Sequence, residues 1–248
     1  MKITILTLFP EMFAGPFDES IIKRAKEKEL VEINLVNIRA FGIGKHKVVD
    51  DSPYGGGVGM VMKVDVLDNA IQSVKDTKLQ NDQQKVVLLD ARGETFVQNI
   101  AKNLSNLEHL ILLCGHYEGI DERVRNLVDM TLSIGDFILT GGEIPAMLIV
   151  DAVTRLIPEV LKSDATEHES FSLISNSNPH PNPLPAKQGE GDQGSFLLEY
   201  PQYTMPQEYN GEKVPDILLS GNHKEIAKWR TENSLKITAK HRPDLLKK

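Results

Sequence analysis

The residues best suited to proton chemistry lie in DATEHESF (164–171), where Glu167, His168 and Glu169 follow one another. Adjacent side chains diverge along a backbone, so the three converge poorly on a metal ion. A single carboxylate at this place is better read as a general base, since it can accept a proton from a group held within hydrogen-bond reach. Upstream, DAVTRLIP (151–158) places the cation of Arg155 among apolar neighbours. Cys114 is the single cysteine, and no His–Asp arrangement obviously serves it. It reads as a small buried hydrophobe rather than a nucleophile.

Three glycine-bearing loops could hold a ligand against bare backbone, because glycine lets backbone and ligand approach closely. DDSPYGGGVGM (50–60) clusters glycines but has no Lys-Ser/Thr after them, so it is not a phosphate-binding P-loop. CGHYEGIDERV (114–124) follows an apolar run and presents Glu118, Asp121, Glu122 and Arg123. Those charges either start a helix, with acids at its positive end, or form the polar tip of a binding loop. SIGDFILTGGEIPA (133–146) is interrupted by Gly135 and doubles its glycines at Gly141 and Gly142. A sharp turn and a ligand wall both explain it. The first strand ends at Phe9-Pro10 without the glycine turn of a dinucleotide fingerprint, which removes the main support for a Rossmann reading.

The elements that would position these residues alternate. Apolar runs at 2–8, 31–38, 85–89, 109–114 and 132–139 read as strands, near-continuous enough to be buried on both faces. Helical patterns fill 20–29, 65–76, 95–105, 121–128 and 143–161, the last with Glu143 and Pro145 in its first turn. The alternation predicts an α/β fold with a mostly parallel sheet flanked by helices. Loops 90–93, 114–119 and 135–142 would then converge at one sheet edge.

Composition is that of an ordinary globular chain: 40% apolar, 25% charged, net charge −7. That charge argues against non-specific coating of nucleic acid, though not against a local basic face. One cysteine permits no internal disulfide and points to a reducing cytoplasm. The N-terminal MKITILTLF is too short and too alternating for a signal peptide, and no run reaches the length of a membrane span. Residues 172–195, rich in Pro, Asn, Gly, Ser and Gln, read as a flexible linker or insertion that marks a domain boundary. Domains are therefore expected at 1–165 and 196–248, with 166–195 between them. In the second, Asn222 and Glu225 form a capping-box pair. From Lys224 onward the net charge is +5. Lys224, Lys228 and Arg230 there are either a solvated helix face or a phosphate-contacting one.

TLFPEMF, DDSPYGGGVGM, LLCGHYEGIDERV, SIGDFILTGGEIPAM, LLEYPQYTMP and LLSGNHKEIAKWR, in this order, closely resemble the bacterial tRNA (guanine-N1-)-methyltransferase family, TrmD, of the SPOUT class. The resemblance covers nearly the whole chain apart from 172–195. It implies a deep trefoil knot in the catalytic domain, an exception to the rule that chains do not thread their own loops. It implies methyl transfer from S-adenosylmethionine to N1 of guanine 37 in tRNA, by a homodimer whose active sites are shared between protomers. By motif, the cofactor positions are Leu88, Leu89, Gly115, Tyr117, Glu118, Ile134, Gly135, Asp136, Phe137, Ile138, Leu139, Gly141, Gly142 and Pro145. Glu169, where many members carry Asp, is the implied base, and Arg155 the cation that steadies charge on the guanine O6. The small helical C-terminal domain is the implied tRNA contact. A magnesium ion is also implied, with no side chain identifying its site. Two alternatives stay open: a related SPOUT enzyme acting on a ribose 2′-OH or a ribosomal RNA base, and a non-catalytic RNA-binding protein.

Overall fold

The computed structural model describes residues 1–80, 82–162, 165–166, 169–173 and 196–246. The chain forms two compact units, Met1–Leu161 and Lys162–Lys248.

The first unit is built on a parallel sheet. Its strands are β1 (Lys2–Thr7), β2 (Glu32–Asn37), β5 (Gln84–Thr95), β6 (His109–Cys114) and β7 (Met130–Ser133), in spatial order β2-β1-β6-β5-β7. A short hairpin, β3 (Asp50–Asp51) with β4 (Val61–Met62), stands apart from it. Side chains alternate across the sheet as strand geometry requires. On one face Ile3, Ile5, Val87, Leu89, Leu110, Leu112 and Leu132 pack with α1 (Ser20–Glu27), α3 (Gln98–Ser105) and α4 (Glu143–Thr154). On the other, Leu6, Val86, Leu88, Ile111 and Leu113 meet α2 (Val64–Val74) through Val66, Leu67, Ala70 and Ile71. Every residue of β6 is buried, which explains why HLILLC lacks polar alternation.

The elements differ from the sequence expectations in four places. The strand expected over 132–139 stops at Ser133, and 134–142 is irregular, because Gly135 takes a left-handed φ of 144°. The strand expected at 85–89 runs on to Thr95. Its register shifts between Leu89 and Glu94, so that Asp90–Gly93 bulges while both flanks pair with β7. The helix expected over 143–161 ends at Thr154, and 121–128 is a 3-10 turn over Glu122–Asn126, capped by the Asp121 carboxylate.

The second unit carries two short antiparallel pairings and two α-helices. They are β8 (Ser172–Leu173) with β9 (Phe196–Leu197), β10 (Glu208–Tyr209) with β11 (Glu212–Lys213), α5 (Asp216–Leu219) and α6 (His223–His241). As expected, the Asn222 side chain caps α6 by accepting the Glu225 N–H. Among its described residues only Ser234 and Thr238 are fully buried. Polar bonds tie the two to each other and to the Leu198 backbone. The Leu198 N–H donates to Thr238 Oγ1 at 2.8 Å, and that hydroxyl donates to the Ser234 carbonyl at 2.7 Å.

Candidate active site

Parallel strands leave their C-terminal ends at one edge, where open α/β sheets bind ligands. Here the bulge within β5 lies beside the ends of β6 and β7, and with the stretches that follow those two strands it encloses a cavity of about 460 Å³, within the usual range for small-molecule sites. Leu88 to Arg92 form one wall, Gly115 to Ile120 with Glu122 a second, and Leu132 to Gly135 with Phe137 to Gly142 a third, with Pro145 behind. Of the cofactor positions implied by motif, Leu88, Leu89, Gly115, Tyr117, Glu118, Ile134, Gly135, Phe137, Ile138, Leu139, Gly141, Gly142 and Pro145 line this cavity. Asp136 does not.

Backbone contact ties the third wall to the second. The Gly142 N–H donates to the Gly115 carbonyl at 2.9 Å. A Cβ on Gly142 would lie 2.7 Å from Cys114 Cα and 3.0 Å from the Gly115 nitrogen, so only glycine allows this approach. Tyr117 holds a left-handed φ of 60°, uncommon for a bulky residue, and so marks a constrained turn beside the cavity. Its hydroxyl accepts from Arg39 at 3.3 Å. The glycine-rich 50–60 loop leans on the same wall: Glu118 N–H donates to the Met60 carbonyl, and the Glu118 side chain occupies the space a Cβ on Gly59 would need.

The first wall carries ions that the sequence reading placed in a loop without assigning them a role. Asp90 bonds Arg92 and, at 2.9 Å, Arg125; Arg92 and Arg125 both also reach Glu122. Burial would push the Asp90 carboxyl up, but hydrogen bonds from Arg92 and the charges of Arg92 and Arg125 hold it below its ordinary value. The signal for this network was a D-x-R at a strand end, too common to single out.

The proton-handling candidates fall in different surroundings. Arg155 caps α4 at its C-terminus and is half-buried in the first unit. Glu169 is half-buried in the second. Glu167 and His168 lie outside the described residues. Cys114 is buried, and desolvation followed by the Glu143 charge pushes its thiol well up, which rules it out as a ready thiolate. Lys224, Lys228 and Arg230 are exposed on α6. Lys224 and Lys228 stand one turn apart, whereas Arg230 points elsewhere and lays its guanidinium 4.9 Å from the Tyr200 ring centroid. Among the described residues no group of three His, Cys, Asp or Glu could hold a metal ion. No described helix is long and apolar enough to cross a membrane.

Comparison with known proteins identifies the family. The family model described as tRNA (Guanine-1)-methyltransferase TrmD matches residues 1–248. A tRNA (guanine-N(1)-)-methyltransferase of Dictyoglomus turgidum is 50% identical, covering 100% of this chain and 91% of its own length. The proteins of the same name from Geobacter sp. strain M21 and Clostridium beijerinckii are each 52% identical, covering 99% and 100% of this chain and 90% and 93% of their own lengths. A match over the entire chain, with relatives at half identity and near-complete mutual coverage, means that this protein belongs to the tRNA (guanine-1)-methyltransferase family, TrmD.

Proposed function

We propose that the protein transfers a methyl group from S-adenosylmethionine to N1 of guanine 37 in tRNA. The observation that carries this reading is the coincidence of the family's cofactor motifs with a single cavity at the β5 bulge and the C-terminal ends of β6 and β7. The cavity suits the cofactor by size and by lining. Bare backbone at Gly115 and Gly141 lets an adenine edge approach closely, while Phe137, Ile138 and Leu139 supply apolar cover. When bound, S-adenosylmethionine supplies a methyl group on a positively charged sulfur, already activated for attack.

The chain's own residues then have two tasks. Glu169 accepts the N1 proton of guanine as the new N–C bond forms, so that no net charge is left on the base. Arg155 steadies negative charge gathering on the guanine O6. In the proposed homodimer each active site is shared between the two protomers. A covalent enzyme intermediate has no role, consistent with the suppressed thiol of Cys114. The return of 134–142 from the edge strand β7 past β5 to the end of β6 supports the deep trefoil knot of the SPOUT class. The implied magnesium ion finds no set of ligands among the described residues, and no step is assigned to it. Lys224 and Lys228 on α6 serve the tRNA backbone, and the reaction belongs in the cytoplasm.

The test is methyl transfer from labelled S-adenosylmethionine to tRNA transcripts carrying guanine or adenine at position 37, with nucleoside analysis of the product. Label in 1-methylguanosine only from the guanine transcript is expected. Label in a ribose, in ribosomal RNA alone, or in nothing despite cofactor binding would replace the reading with one of its alternatives.

A further inference from the structure

Glu143 is 1% exposed, although it is a carboxylate. Burying such a group costs several kcal/mol unless partners compensate, on the order expected for an ion leaving water. The first turn of α4 supplies some compensation, since the helix dipole favours negative charge there. Its other partners point in one direction. The Phe9 N–H donates to Thr7 Oγ1 at 2.9 Å, which leaves the hydroxyl proton free to point at Glu143, and Thr7 Oγ1 donates to Glu143 Oε1 at 2.8 Å. The second oxygen, Oε2, faces His116 Nδ1 at 3.8 Å. That nitrogen is buried and has no hydrogen-bond partner among the described residues.

A buried imidazole nitrogen left unpaired is costly and therefore informative. The ring is held otherwise by packing, 4.7 Å from the Phe9 ring and edge-on to Tyr117 at 5.1 Å. Gly141 covers the pair. A Cβ there would strike Glu143 Oε2 and come within 2.5 Å of His116 Nδ1, so the missing side chain makes room for the two groups to meet. His116 also lines the cavity, and because Nδ1 is buried, the ring's accessible edge is the opposite one.

We infer that His116 is a cofactor-binding residue held in one tautomer by Thr7 and Glu143. Thr7 orients the Glu143 carboxylate, Nδ1–H of His116 donates to Glu143 Oε2, and Nε2 is left as an acceptor for a donor group of the bound cofactor, such as an amine or hydroxyl. The 3.8 Å gap closes to a hydrogen bond when the cavity fills, as apo contacts of this kind commonly tighten on binding. His116 touches ligand; Glu143 and Thr7 act through it as positioning residues. This inference rests on the proposed cofactor reading and deepens it.

The experiment uses the full chain, with calorimetric binding of S-adenosylmethionine and steady-state methylation of tRNA. His116→Phe keeps the ring packing and removes both nitrogens. His116→Gln keeps a polar atom near the Nε2 position. Glu143→Gln keeps volume and removes the charge. His116→Phe and Glu143→Gln should each weaken cofactor binding about tenfold, the scale of one good hydrogen bond to a buried group. The loss should fall on KM for the cofactor. His116→Gln should recover most of it, and the double variant His116→Phe/Glu143→Gln should be no weaker than His116→Phe alone. A His116→Phe protein that binds as tightly as wild type overturns the inference and leaves the proposed function standing. Additive losses in the double variant overturn it as well, for they would make Glu143 merely structural. A wild-type protein that binds no S-adenosylmethionine removes both.

Discussion

Glu169 and Arg155 are the groups on which the proposed chemistry turns, and each invites a direct test. Glu169→Ala should abolish single-turnover methylation while leaving S-adenosylmethionine binding nearly intact; normal chemistry in that variant would remove Glu169 from the role of base. Arg155→Ala should slow the chemical step by about 10²-fold, the scale of a lost transition-state donor, as read from rapid-quench kinetics. His109 sits at the other end of β6 and bears on stability instead. Burial, then the nearby Lys2 charge, lowers its imidazole from 6.5 to about 4, while its nitrogens contact Thr4 Oγ1 and the Gln84 side chain. The unfolded chain takes up a proton near 6.5 and the folded one only near 4. Stability is therefore complete above that window and falls as pH drops through it, by up to about 3 kcal/mol. Denaturant midpoints should drop between pH 7 and pH 5 in the wild type, and the drop should shrink in His109→Gln.

Among the elements, the third wall of the cavity departs most from its sequence pattern. SIGDFIL alternates like a strand, but only its first residue belongs to β7, because Gly135 turns the chain out of the sheet and Gly142 brings it back against Cys114. Apolar alternation reports that side chains are wanted on two sides. It cannot say that the two sides are a cavity and a core. Likewise the bulge at Asp90–Gly93 is invisible to periodicity, because it arises where Gly93 presses on the backbone of Leu132, at 2.6 Å from a notional Cβ. Gly142→Ala should cost about 1–3 kcal/mol as an overpacked contact, and it should weaken cofactor binding more than its effect on thermal stability predicts. Equal binding in a folded Gly142→Ala protein would show that the walls need not touch.

For the whole molecule, the two units are stabilised differently. The first buries apolar side chains on both faces of its sheet, whereas the second, among its described residues, fully buries only Ser234 and Thr238. The tRNA contact proposed for α6 is testable at its exposed lysines. Lys224 and Lys228 share a face, so neutralising both should weaken tRNA binding and reduce the slope of log affinity against log salt by about 1 to 2. An unchanged slope would make these lysines solubility groups. Arg230 lies over Tyr200, so its loss should also disturb packing and cannot be read as phosphate contact alone.

The order of strands and helices, the apolar runs that make them, the capping of α6 and the family itself were legible in the chain, because each is encoded by neighbours in sequence. Periodicity is a local property, and motifs of this length and order are specific. The tertiary structure alone decided the rest. It placed Asp90, Arg92 and Glu122 on one rim, laid Arg230 over Tyr200, and set Glu143 beneath His116 from positions far apart in the chain. Burial, unpaired nitrogens and backbone contacts across a sheet edge depend on which distant segments meet, and no local pattern carries that information.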